Sequence, residues 1–122
     1  MNQKTNIQLF DEITAKLFAN LYESFPLPAD INCLSVTGCH EVEAGICVHT
    51  LRWLGDEGFI NVGQMYQHGG GGIVLTSKGL AALKAVPSGL EGKTSIGERL
   101  QAAVNAGAIP TAVEILKLIF TS

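Results

Sequence analysis

Leu51-Arg52-Trp53-Leu54-Gly55-Asp56-Glu57-Gly58-Phe59-Ile60 ends one periodicity and begins another. Upstream, Cys47, Leu51 and Leu54 stand at i, i+4 and i+7 with Ile46 and Trp53 flanking them, the spacing of a helix that buries one face. Gly58 falls where such a helix stops in a left-handed residue. Downstream, Phe59 to Val62 and Ile73 to Leu75 are short apolar, partly β-branched runs, and Gly69-Gly70-Gly71-Gly72 between them supplies the positive φ angles of a hairpin loop. The expectation is strand, glycine tip, strand. Leu75-Thr76-Ser77-Lys78-Gly79-Leu80 then opens another helix, capped by Thr76, with Leu80, Leu83 and Val86 along one side before Pro87 stops it.

Working outward toward the N-terminus, Phe10, Ile13, Leu17 and Leu21 recur at steps of three and four, and Thr5 with Gln8 has the form of a capping box. Pro26 and Pro28 forbid continuation, so a helix is predicted from about Asn6 to Ser24. Between Ala29 and Glu41 the polar residues Asp30, Asn32, Ser35 and Thr37 interrupt Ile31, Leu34 and Val36, leaving a short helix and an irregular segment equally open. Toward the C-terminus, Ser88 to Thr94 reads as a connection. Ser95 with Glu98 forms a second capping box, Gly107 closes the helix it opens, and Pro110 begins a last helix. That helix is apolar on well over half its circumference, through Val113, Ile115, Leu116, Ile119 and Phe120, so it must dock on its own domain, a second copy or a partner.

The expected fold class is therefore α+β and mainly helical, a helical domain with a small β-hairpin over 1–87, a linker over 88–94 and a C-terminal helical hairpin over 95–122. A chain of 122 residues is long enough to bury a core without staples. Eight basic against eleven acidic residues give a net charge of −3, and 47% hydrophobic content is high for a small domain, which makes a homo-oligomer the default expectation. An odd number of cysteines without zinc-ribbon spacing argues against a disulfide framework and for a reducing compartment, and with neither a signal-peptide core nor a membrane span, the cytoplasm is the expected location.

The segment from about Ile7 to Val86 resembles a winged helix-turn-helix domain of the kind found in many small bacterial transcription regulators. The resemblance rests on Leu51 to Ile60, similar to the end of a recognition helix and entry to a wing, and on Leu75 to Leu80, similar to a wing's return strand and following helix. It implies that a recognition helix over 43–57 enters a major groove and that the wing touches the backbone. DNA-contact candidates are then His49, Arg52, His68, Lys78 and Lys84.

The charge opposes that function. Between His40 and Gly72 Arg52 is the sole full positive charge, against Glu41, Glu43, Asp56 and Glu57. Affinity for nucleic acid comes chiefly from cations displacing counterions at several phosphates, so one arginine leaves the main source of binding energy missing. The preferred expectation is a non-catalytic module acting through protein contacts as a homodimer, with Val113, Ile115, Leu116, Ile119 and Phe120 as interface candidates; a DNA-binding regulator is the alternative. No cofactor is expected. Cys33, Cys39 and His40 are weak metal-ligand candidates, but cysteines packed as free thiols are the preferred reading, with Cys47 on the core stripe. Trp53 is expected to wall the core with its N–H reaching water.

Overall fold

The computed structural model describes residues 4–87 and 94–120. The linker expected over 88–94 lies outside the described residues, apart from Thr94. Helix α1 runs Asn6–Ser24, and its N-terminus is closed by the reciprocal pair in which Thr5 Oγ1 accepts from the Gln8 amide and Gln8 Oε1 accepts from the Thr5 amide. Both orphan donors are thus satisfied within four residues, as the capping-box spacing predicts.

The stretch after α1, which local signals leave open between a short helix and an irregular segment, forms two elements. Strand β1 spans Ala29–Asn32, and Asn32 then caps the short helix α2, Cys33–Val36, its Oδ1 accepting from the amides of Leu34 and Ser35. Helix α3 covers Glu41–Asp56, with Ala44, Cys47, Leu51 and Leu54 buried, and is followed by Gly58 at φ 83°. The core stripe and the glycine stop were both expected from local spacing.

The hairpin differs from expectation. Gly69-Gly70-Gly71-Gly72 is not a loop but the first half of the longest strand, β4, Gly69–Leu75. Opposite it lie β2, Ile60–Asn61, and β3, Gln64–Tyr66, and the chain reverses at Gln67-His68 instead. On its other edge β4 pairs antiparallel with β1, Ile31 opposite Gly70 and Asn32 opposite Gly69. The glycines are needed for close approach: a methyl group on Gly69 would overlap the Ile31 carbonyl, and one on Gly71 would sit 2.7 Å from the Tyr66 hydroxyl and 2.9 Å from Asp30 Oδ1. A local turn signal was outweighed by two neighbouring strands that only bare backbone can accommodate.

Helix α4, Ser77–Lys84, is capped by Thr76 through the Gly79 amide and buries Leu83, whereas Val86 falls beyond its end and is exposed. Helix α5, Ile96–Asn105, carries the Ser95–Glu98 capping box, and α6, Ile109–Phe120, begins one residue before Pro110. These two helices do not stand apart as a unit. Ile96, Leu100, Ala103, Ala112, Leu116 and Ile119 belong to the same core cluster as Ile13, Leu17 and Phe18 of α1, Leu51 of α3 and Ile73 of β4. Tyr22 fastens the start of α5, its hydroxyl 3.2 Å from Ser95 Oγ. No helix among the described residues is long and apolar enough to cross a membrane.

Cys33 and Cys47 are joined in a disulfide, tying α2 to the middle of α3, and Cys39 is the exposed free thiol. This corrects the free-thiol reading: burial of Cys47 was anticipated, its bond was not. It also removes cysteine usage as an argument for a reducing compartment.

Two stability changes follow. The disulfide closes a loop with a sequence separation of 14, so reduction is expected to lower unfolding free energy by about 3 kcal/mol in the chain-entropy account; urea titrations with and without reductant measure it, and coincident curves would contradict the bond. The Thr14 hydroxyl is fully buried without a hydrogen-bond partner among the described residues. Thr14→Val, which keeps the shape and removes the stranded hydroxyl, should raise the midpoint by about 1 kcal/mol equivalent.

Candidate functional site

Burying Ala44, Cys47, Leu51 and Leu54 turns the opposite side of α3 to solvent, and that side is also apolar. Val42, Ile46, His49 and Trp53 follow one another at steps of four, three and four, a second stripe on the same helix. Val42 is 80% exposed and Trp53 42%, values that a helix with a polar outer face would not show for such residues.

Beside this stripe the N-terminal half of α1 stands off, leaving an open groove of about 830 Å³. Asn6, Ile7, Phe10 and Asp11 line it from α1, Ile46, His49, Thr50 and Trp53 from α3, and Phe120 from the end of α6. Ile7 is 70% exposed on its lip.

The groove has a rigid floor because its aromatic rings interlock. Phe120 sits 5.5 Å from Phe59 and 6.1 Å from Trp53 with the rings near perpendicular, and 6.3 Å from both Phe10 and Phe18. Phe10 meets Trp53 edge to face at 5.4 Å. Such T-shaped pairs set the positive edge of one ring against the negative face of another. Trp53 is thus a wall of an open groove rather than of the closed core.

The DNA-contact candidates line different hollows, although His49 and Arg52 are neighbours three residues apart on α3. His49 lines the α1–α3 groove, Arg52 a separate hollow beside β2 and β3, and His68 a third beside β1. Lys78 is occupied with the end of α3: its Nζ donates to the Glu57 carbonyl at 2.8 Å and stands 4.4 Å over the Phe59 ring. Lys84 lies exposed in the last turn of α4, where its charge favours the helix C-terminus.

The interface candidates divide. Leu116 is 1% exposed and Ile119 buried, so both are taken up by the chain's own core, while Val113, Ile115 and Phe120 remain partly accessible. Leu118, absent from the sequence-derived set, is the most exposed large apolar residue of α6. The metal candidates also separate: Cys33 is spent in the disulfide, and among the described residues no group of three or more His, Cys, Asp or Glu side chains is placed to hold an ion. The signal for the groove was present as the stripe Val42, Ile46, His49, Trp53, which the stronger core stripe on the same helix masked.

Fold and groove together define an α+β domain with an apolar cleft along its third helix. No protein-family model, curated protein or solved structure matches the chain.

Phe120→Ala removes the ring shared by the other four aromatics, and an expected loss of about 3 kcal/mol follows from large-to-small truncation at an aromatic cluster. Trp53 emission should shift to longer wavelength in the folded variant as its shielded face opens. An unchanged spectrum would show that Phe120 does not support the groove.

Proposed function

We propose that this chain is a non-catalytic, winged-helix-like module that acts through protein contacts as a homodimer, the contact being made by the outward side of α3. The order α1–β1–α2–α3 followed by a hairpin, with the first strand paired to the last, supports the winged-helix reading. In that architecture α3 is the element presented to DNA. The observation that carries the function is what α3 presents instead: Ile46 and Trp53 lining an apolar groove, with Val42 exposed one turn before Ile46.

Magnitudes decide between the readings. A nucleic-acid reader takes its affinity from several phosphate contacts, each dependent on a free cation near the groove. Here Arg52 is the one cation on α3, with Glu41, Glu43 and Asp56 on the same helix and Glu57 next to it, and Lys78 is bound up in capping. An exposed apolar surface gains about 25 cal/mol for each Å² covered, so its stabilisation comes from a partner that excludes water. The DNA-binding regulator is retained as the alternative because the same strand order favours it.

Titrating a labelled random duplex at low salt, where electrostatic attraction is greatest, tests the choice. No change in anisotropy is expected up to tens of micromolar protein, where an ordinary nonspecific DNA binder, with a Kd of about 1–100 μM at physiological salt and tighter at low salt, would already bind. Binding that weakens steeply as salt is added would overturn the protein-contact reading.

A further inference from the structure

We infer that the partner on α3 is the α3 of a second copy, packed antiparallel across a two-fold axis that passes the helix between Cys47 and Val48. This deepens the proposed function and rests on its protein-contact reading. The argument is one of self-complementarity, which a two-fold interface demands because each patch must fit itself.

At 100° per residue, Val42, Ile46, His49 and Trp53 fall within an arc of about 60°, the narrow seam of a two-helix contact rather than the broad face of a core helix. Their steps of four, three and four are those of alternating a and d positions. Set antiparallel about the stated axis, Val42 lies level with Trp53 of the copy and Ile46 with His49, so the large side chain meets the small one at each end. No other antiparallel register pairs all four positions.

The flanks agree with the seam. A two-fold perpendicular to the plane of the two helices brings like flank against like flank. On one side lies the α1 wall, where Ile7 and Phe10 supply apolar surface beside the polar Asn6 and Asp11. On the other lie Glu41 and Arg52, within about 20° of each other around the helix, and the two-fold sets Arg52 only about 3 Å along the axis from the level of the copy's Glu41. Both are exposed, and neither forms an ion pair within the chain among the described residues. The pairing supplies each with an opposite charge, twice over.

Gly45 is the second, independent observation. It lies mid-helix on the charged flank, and a methyl group there would meet nothing within 4 Å in its own chain. Glycine at an exposed helix interior costs about 1 kcal/mol relative to alanine and gains nothing inside this chain. Close passage of a second helix gives the missing side chain a use.

Light scattering of the intact chain at tens of micromolar should report a dimer. Glu41→Arg and Arg52→Glu should each weaken it by about tenfold or more through like-charge contacts, and the double reversal should restore it. Trp53→Glu should give a monomer with unchanged circular dichroism, and His49→Cys in a Cys39→Ser background should crosslink between copies under mild oxidant while Lys84→Cys does not. A dimer that survives Trp53→Glu and both single reversals would overturn the α3 pairing and leave the protein-contact reading standing on another face. A wild-type chain that stays monomeric at 100 μM, on the order of the weakest specific contacts, would overturn the pairing and the homodimer alike. Should Trp53→Glu fail to fold, the charge reversals decide alone, since both residues are exposed.

Discussion

Burial of α1 on most of its circumference is the constraint that organises this molecule. Seven residues from Ile13 to Leu21 are buried, among them Ala15 and Ala19 on a side away from the main apolar row. Along this stretch only a strip through Asn20 and Glu23 is left to water, so the rest must be enclosed. Helices α3, α4, α5 and α6 and strand β4 all pack against it. Helix α3 and strand β4 on one side and the C-terminal helices on the other therefore pack on the same central helix.

Enclosure is less complete at the N-terminal end of α1, and there the groove lies. Ile7 and Phe10 extend beyond the point where α3 and α6 close over the helix, and Phe120 fills the floor without reaching the lip. The apolar character of the outer α3 stripe continues the chemistry of the core onto the surface. That continuity distinguishes a contact surface from scattered exposed residues, because one cover would bury α1, α3 and α6 side chains together.

What was legible in the residues was what local chemistry decides. The limits of α1, the two capping boxes, the Thr76 cap and the Gly58 stop each depend on groups within a few positions of one another, and each appears at the expected place. The features that were not legible depend on partners remote in the chain. Four successive glycines signal a turn until β1 approaches from one side and β3 from the other, and then the same residues become the one sequence that fits between them. Cys47 shows its burial through helical spacing, but nothing near it names Cys33. In α6, periodicity gave the apolar sides but left open whether they dock on the chain's own domain or on a second copy, and Leu116 and Ile119 belong to the core.

The tether between Cys33 and Cys47 acts on more than unfolding. It anchors the midpoint of α3 from behind, while the Lys78 ammonium holds its C-terminal carbonyl end. A helix held at its middle and at its C-terminal end resists rolling or sliding to accommodate a visitor. Whatever docks on its outer stripe meets a surface already in its bound shape, with little conformational freedom left to surrender. Recognition on such a surface discriminates by steric fit, and a poorly matched partner departs quickly because the helix will not yield to it.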